Sequence, residues 1–433
     1  RWVVAQANKE LHIQSLLPLS YETLAPIKAS QPAMQTTPIQ TPQFRKQALD
    51  MFVTWEDVPR GEAFAKWLSA IAPTHQLDLS TLVIASADAS FRRYLRIRDT
   101  NARPLIIMDA PPDKEDCAAF AHIAQLLQDA SIAAPHVLAW DATLGFMLLT
   151  DLGQHTLLDV LSQVPGLRSA FDIAPPNAPA ADVAALAYTT EADKSASLRV
   201  AHGLVRSYMG QSLDILVRWQ QATQAQALPS YDHASLLREL KLFPEWYVTK
   251  HKGITLDTAQ QQTLARTFET LITHNLDAPM VFVHRDVMPR NIMVSHNNNL
   301  GLLDFQDAVI GPVTYDIASL MRDAFWSWDD DMVIDITVRY WERARAAGLL
   351  NHYDWDQDFG AFYRAVEWMG LQRHLKILGI FARLSLRDGK PKYLADTPRF
   401  IHYVRNTAAR YRELKPLLQL IDHIEGLEAA SGY

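Results

Sequence analysis

The stretch "VHRDVMPRNIMV", residues 283–294, decides how the rest of the chain reads. It sets His284, Arg285 and Asp286 ahead of Pro289 and Asn291, with apolar runs on both sides. Taken alone, it describes a polar turn between two short strands. The spacing of its polar residues, and the residues beyond it, change that reading. Asn291 comes five positions after Asp286, and the apolar run "LGLLDF" then delivers Asp304. Two carboxylates and a carboxamide are thereby placed on loops beside short strands. Phosphoryl transfer to a hydroxyl needs a carboxylate that orients the attacking oxygen and takes its proton, and oxygen ligands for the metal on the nucleotide phosphates. Asp286 suits the first role. Asn291 and Asp304 suit the second, because Mg²⁺ takes hard oxygen ligands and few of them from protein.

Composition bounds the alternatives. The 433-residue chain is 48% hydrophobic and 21% charged, enough for two or three domains with sizeable cores. Its formal charge is -7 and no Lys/Arg-rich run stands out, which argues against a nucleic-acid partner. Cys117 is the only cysteine, so neither an intramolecular disulfide nor a cysteine zinc site can form, and a reducing compartment is expected. No apolar run reaches the roughly 18 to 20 residues needed to cross a bilayer. The N-terminus lacks the pattern of a signal peptide, so a cytoplasmic protein without a membrane partner is expected. Neither a GxSxG elbow, an HExxH helix nor a Walker A loop occurs.

The chain is unevenly organised. Residues 1–50 pass into the Gln/Pro/Thr-rich run "KASQPAMQTTPIQTPQF" and are expected to be a disordered extension, with Met51 opening the folded part. Residues 51–152 read as a small α+β lobe: the amphipathic helix "FAKWLSAIA", strand-like "TLVIASA", "RRYLRIRD" and "RPLIIMDAP", the helix "DCAAFAHIAQLLQDA", and two strands in "HVLAWDATLGFMLLTDLG" with a turn at Thr143–Gly145. Residues 153–433 read as a larger, mostly helical lobe. Within it the Ala/Pro-rich segment 165–197 is expected to be a mobile insertion, and "MVFVHRD", "NIMVSH" and "LGLLDFQDA" are expected as strands around the polar site.

With these elements in place the chain resembles the aminoglycoside phosphotransferase and choline kinase-like family, a branch of the bilobal protein-kinase-like fold. The order His-Arg-Asp, Pro, Asn and a later strand-terminal Asp matches the kinase catalytic-loop pattern. Longer stretches, "SADASFRRYLRI", "MDAPPDKED", "LLDFQDAVIGPVTYDIASLMRDAFWSW" and "EWMGLQRHLKILGIFARLSLRDGKPKYLADTPRF", are similar to the bacterial anomeric sugar kinases. Those enzymes phosphorylate N-acetylmuramate and N-acetylglucosamine at C1 in cell-wall recycling. The resemblance implies ATP and Mg²⁺ as cofactors and a small-molecule sugar as acceptor. It makes Asp286 the base, Asn291 and Asp304 the magnesium ligands, and Asp316 of "TYDIASLMRD" a brace for the catalytic loop. A helix N-cap or surface carboxylate is the other reading of Asp316. His284 and Arg285 are expected to be structural, with Arg285 paired to a carboxylate.

The departures bear on the nucleotide. Protein kinases hold the phosphates with a Gly-rich loop and a third-strand lysine. Here "ASADASFRRYLRI" has no glycine, and Met108 and Asp109 stand where that lysine is expected. Asp109 beside phosphates would repel them unless magnesium or a basic neighbour intervened. Ser90, Arg92 and Arg93 are the candidates to supply the missing contacts, against the plainer reading of both arginines as solvated hairpin residues. Glu115 reads either as the partner of a basic group or, more plainly, as a solvated helix start. The adenine is expected at "FMLLTDLG", with Leu149, Asp151 and Gly153 at the crossing between lobes.

For the acceptor, Gln306 and Asp307 come directly after Asp304 with only Phe305 between, and Arg322 lies one to two turns beyond Asp316. "WMGLQRHLK" gathers Trp368, Gln372, Arg373 and Lys376 on one helix. An aromatic face with hydrogen-bonding groups suits a sugar, and a lactyl carboxylate would suit Arg373 or Lys376. Core packing is the alternative for each. Two other functions stay open: a kinase of the same fold for an aminoglycoside, choline or homoserine, and a pseudokinase that binds nucleotide as a partner protein. The sequence does not identify protein partners.

Overall fold

The computed structural model describes Val53, Trp55 and residues 57–87, 91–164, 167 and 191–427, with the side chains of 86, 87 and 191–198 left out. The N-terminal extension 1–50, Ser90 and most of the segment 165–197 lie outside the described residues. The last part of that segment, 191–197, opens a long helix instead of a loop. "EADKSAS" carries no proline or glycine to oppose a helix.

The architecture is α+β, a sheet-containing N-terminal lobe followed by a mostly helical C-terminal lobe. Helix α1 (Val58–His75) starts at Asp57, whose side chain accepts from Arg60 N at 3.1 Å, and ends where Gln76 turns left-handed at φ 52°. Strands β1 (Leu77–Ala87), β2 (Arg93–Asp99) and β3 (Pro104–Asp109), helix α2 (Cys117–Asp129), then β4 (Val137–Asp141) and β5 (Phe146–Thr150) complete the lobe. The five strands form one antiparallel sheet in the order β1-β2-β3-β5-β4.

Strand alternation gives this sheet two buried faces. Leu95, Ile97, Leu105, Ile107, Phe146 and Leu148 meet Phe64, Trp67 and Leu68 of α1 in a separate small core. Met108, Met147 and Leu149 point the other way and join α2 in the main core. The direction a side chain takes from β2 or β3 therefore decides whether it faces α1 or the cleft.

The chain crosses into the second lobe through β6 (His155–Thr156) and α3 (Leu157–Ser162), followed by α4 (Glu191–Gln221), α5 (His233–Leu240), a π-helix at Phe243–His251 and α6 (Thr258–Leu276). Strand β7 (Met280–Val283) leads to the catalytic loop, a 3-10 turn at Pro289–Asn291, β8 (Ile292–Val294), β9 (Leu300–Leu302), β10 (Val309–Pro312) and α7 (Thr314–Met321). The strands are shorter than the sequence suggests, and they pair in two groups. β7 pairs with β10, whereas β8 lies between β6 and β9. The loop 284–288 thus leaves one small sheet and enters another.

Helices α8 (Asp330–Ala346), α9 (Phe359–Leu386), α10 (Thr397–Arg410) and α11 (Lys415–Glu425) close the lobe. α9 is buried on nearly every side, as a central helix must be when others pack all round it. Gly379 on α9 has no room for a side chain: a Cβ there would stand 2.4 Å from the Leu242 carbonyl carbon at the start of the π-helix.

Candidate active site

The 284–288 loop is held through its backbone by a buried carboxylate. The N–H groups of His284 and Arg285 donate to the Asp316 carboxylate at 2.8 and 2.9 Å. Asp316 lies in the first turn of α7 and is wholly buried, and burial raises its pKa against the pull of His284 and Arg373. It acts on the loop from beneath, and its carboxylate is not at a surface. Arg285 adopts φ 78° and Asp304 φ 62°. Side chains rarely tolerate this left-handed region, and such strain gathers where surrounding contacts fix a functional geometry.

Those contacts are specific. Arg285 pairs with Glu239 at 2.6 Å, and its carbonyl oxygen accepts from Arg373 Nη1 at 2.8 Å. Arg373 also donates to Ser319 Oγ at 2.7 Å. Lys376 reaches Glu239 at 3.1 Å and Gln372 donates to it at 3.3 Å. Burial alone would raise the pKa of Glu239, but Lys376 and Arg285 outweigh it and hold this carboxyl below its ordinary value. Burial also lowers the pKa of His284. Its neutral ring accepts from Asp286 N through Nδ1 at 3.3 Å, which orients the start of the Asp286 segment.

Above this base lie the chemical groups. Asn291 Nδ2 donates to the Asp286 carbonyl oxygen at 3.0 Å and approaches Asp304 Oδ2 at 3.4 Å, while Gln306 Nε2 donates to Asp304 Oδ1 at 2.8 Å. With its amide nitrogen so engaged, Asn291 offers its carbonyl oxygen, and Asp304 offers a carboxylate. Among the described residues no group of three or more His, Cys, Asp or Glu side chains forms a metal cluster. Two hard oxygen donors fit a divalent cation that takes its other ligands from phosphate and water.

Two cavities meet at these residues. One, of about 500 Å³, lies at the crossing between lobes and is lined by Ile106, Leu149, Asp151, Gly153, Met293 and Phe305. Asp151 does not point freely into it: Arg96 pairs with the carboxylate at 2.6 Å and also donates to Gly153 O at 3.0 Å. Gly153 has φ 121°, open to glycine alone. The other cavity, of about 610 Å³, contains Asp286, Gln306 and Asp307 on one side and Arg92, Lys114 and Glu115 on the other. Tyr94, Arg290, Asn291 and Asp304 line both. The larger cavity is also walled by three rings, Phe325, Phe381 and Tyr393, from three separate elements.

Strand parity sorts the first-lobe candidates. Arg93 stands opposite Asp109 in the β2–β3 ladder, and Tyr94 opposite Met108. Opposed residues share a face, so Arg93 and Asp109 both point towards α1. There Asp109 accepts from Arg60 Nε at 2.8 Å and pairs with Arg93 at 3.2 Å, and Arg93 lies over the Trp55 ring at 3.7 Å. Asp109, which the sequence sets where the third-strand lysine is expected, therefore stands away from the cleft between two basic neighbours, and the candidate Arg93 is corrected with it to that side. Arg92 faces the cleft and pairs with Glu115 at 2.7 Å. Of the two readings of Glu115, the partner of a basic group is the one observed: its side chain is only 13% exposed and is not a solvated helix start.

The second-lobe candidates divide as well. Gln306 and Asp307 line the larger cavity. Gln372, Arg373 and Lys376 lie beneath the catalytic loop, bonded as described. Trp368, 2% exposed, packs against His274 and Tyr411. Arg322 pairs with Asp330 at 2.8 Å. None of these five lines either cavity. Because α9 is buried all round, closeness along the helix could not say which side faces the cleft. Phe381, about two turns beyond Arg373, is the α9 residue that reaches the cavity. Reasoning from sequence missed Phe325, Phe381, Tyr393, Lys114 and Arg290. Arg290 had a signal, since it stands inside the motif next to Asn291.

The model for the phosphotransferase enzyme family, APH, matches residues 81–354. The chain is 40% identical over 362 residues to an N-acetylmuramate/N-acetylglucosamine kinase of Neisseria meningitidis serogroup B, covering 84% of this chain and 95% of that protein. It is 42% identical over 349 residues to one of Pseudomonas aeruginosa, covering 80% and 90%. Among solved structures, an ethanolamine kinase of Plasmodium vivax superposes with a TM-score of 0.52 at 10% identity over 84% of this chain and 95% of that one. A choline kinase of Streptococcus pneumoniae gives 0.51 at 10% identity over 81% and 100%. These two likenesses establish the protein-kinase-like fold.

Proposed function

The chain belongs to the phosphotransferase enzyme family, and from that premise we propose that it uses ATP and Mg²⁺ to phosphorylate the anomeric C1 hydroxyl of N-acetylmuramate and N-acetylglucosamine in cytoplasmic cell-wall sugar recycling. The observation that carries the site assignment is the convergence of Asp286, Asn291 and Asp304 on the wall of one cavity. The substrate assignment draws support from the relatives of matching length and their names. Among the described residues no helix is long and apolar enough to cross a membrane.

Within this reading ATP lies in the smaller cavity, its adenine between Ile106 and Leu149 on one wall and Met293 and Phe305 on the other, and its phosphates towards Asn291 and Asp304. Asn291 and Asp304 would hold Mg²⁺, which when bound neutralises charge on the phosphates. The sugar occupies the larger cavity, where Phe325, Phe381 and Tyr393 offer apolar faces and Gln306 and Asp307 offer hydrogen bonds. Asp286 orients the anomeric hydroxyl and accepts its proton. As the O1–phosphorus bond forms, the bond from the γ-phosphorus to the β–γ bridging oxygen breaks and ADP leaves. Positioning and charge stabilisation supply most of the acceleration in such a transfer. Arg290, shared by both cavities, stands where the phosphoryl group passes.

Phosphorus NMR of the protein with ATP, Mg²⁺ and either sugar tests this directly. A sugar 1-phosphate signal that disappears in Asp286→Ala is expected. ATP consumption without that signal would move the reading to another acceptor, and a signal undiminished in the variant would remove Asp286 as the base.

A further inference from the structure

A third cavity, of about 320 Å³, opens beside the larger one and shares Gln306 and Asp307 with it. Its walls come from both lobes: His122 and Ile123 of α2, Ala227 and Leu228 of the loop before α5, Arg238 of α5 and Val309 of β10. The lining mixes apolar surface with charged groups of both signs, Arg238 and Arg285 with Glu239 and Asp307. Arg285 is one of these, but Glu239 already neutralises it at 2.6 Å.

Arg238 differs. It is exposed, donates to Ser235 Oγ at 3.3 Å, and no carboxylate among the described residues pairs with it. The neighbouring carboxylate, Asp232, is turned to Ser235 N at 2.9 Å, where it caps α5. Arg238 helps to lower the pKa of Asp232 but forms no ion pair with it, and an arginine without a contacting carboxylate, at the mouth of a half-apolar chamber next to the acceptor cavity, matches a short ligand arm carrying one carboxylate and some hydrocarbon.

We propose that this chamber is the subsite for an anionic substituent of the acceptor sugar, with Arg238 receiving its carboxylate. The inference rests on the acceptor reading given above. The two sugars differ by one group: N-acetylmuramate carries on O3 a lactyl ether, with one methyl and one carboxylate, where N-acetylglucosamine has a hydroxyl. The methyl meets Ile123, Ala227, Leu228 and Val309, and the carboxylate meets Arg238. Arg373 and Lys376, the sequence-based candidates for that carboxylate, are committed beneath the loop to Arg285, Ser319 and Glu239. The neutral sugar leaves the chamber to water, so one site accepts both.

Steady-state kinetics with each sugar test the proposal. Arg238→Gln is expected to raise KM for N-acetylmuramate by about tenfold, the worth of one charge-assisted contact, and to leave N-acetylglucosamine within about twofold. Arg238→Lys should keep most of the affinity, and calorimetric titration of N-acetylmuramate without nucleotide should show the same order. An equal change for both sugars, or no change for either, overturns the subsite. Wild-type protein that phosphorylates neither sugar would instead overturn the acceptor reading, and the subsite with it. Exposed Arg238 has no structural bond whose loss would unfold the protein.

Discussion

Arg92 and Glu115 form an ion pair at 2.7 Å on the first-lobe wall of the larger cavity, one side chain 7% exposed and the other 13%. The arginine leaves the start of β2 and the glutamate precedes α2. In protein kinases a third-strand lysine pairs with a helix glutamate, and here Met108 occupies that strand face, fully buried. The charge enters the cleft from a different strand.

Arg92→Ala should therefore lower kcat/KM for ATP by tenfold or more, because it leaves Glu115 buried without its partner and removes the charge. Glu115→Gln should cost less, since the guanidinium remains. Initial-rate measurements across ATP concentrations decide this; equal rates in wild type and Arg92→Ala would show the pair to be structural only.

Asp316 accepts two backbone N–H bonds in a fully buried place. Asp316→Ala leaves both donors unsatisfied at about 1–3 kcal/mol each and frees the loop that carries Asp286. Urea unfolding should show a loss of roughly 2–5 kcal/mol, and kcat should fall even where the variant is fully folded. An unchanged kcat in the folded variant would separate Asp316 from loop positioning.

Burial raises the Asp323 carboxyl to about 6. Its pKa is thus higher folded than unfolded, so the folded state binds the extra proton between about pH 4 and pH 6 and stability falls as pH rises through that window. Burial holds His374 down to about 3, which works in the opposite direction between about pH 3 and 6.5. The comparison with Asp323→Asn isolates the first effect. Relative to that variant, wild type should lose about 2–3 kcal/mol between pH 4 and pH 7, read from urea midpoints, and parallel pH profiles would contradict it.

Gly379→Ala would drive a Cβ to within 2.6 Å of backbone and side-chain atoms of Leu242. The π-helix start and α9 would have to separate, at about 3 kcal/mol. Thermal unfolding of the variant at or above the wild-type Tm would show that the two elements yield more easily than their packing implies.

Legibility tracked contiguity. Asp286, Asn291 and Asp304 were readable because one short motif fixes their types and spacing, and Asp316 because it lies in the segment just beyond. Arg93 and Asp109 could not be sorted from Arg92, since one residue along a strand reverses the face. The aromatic wall of the larger cavity was hidden for another reason. Phe325, Phe381 and Tyr393 come from three separate segments, and only the folded path of α9 and the turn after it brings them together. Trp368, Gln372, Arg373 and Lys376 share a helix that is buried on every side, so helical period carried no direction. Arg238 belongs to a chamber built from both lobes, which no local pattern announces.

Arg96 ties Asp151 and Gly153 to the first-lobe sheet, while His155, two residues on, is already paired into the second-lobe sheet. The crossing is therefore clamped at its near end and anchored at its far end, with Gly153 and Gln154 between. Any widening of the cleft has to turn about that dipeptide. Leu149 and Ile106 belong to the upper lobe and Asp286 and Asn291 to the lower, so any change of angle at the dipeptide alters the spacing between the apolar roof of the crossing and the polar floor beneath it.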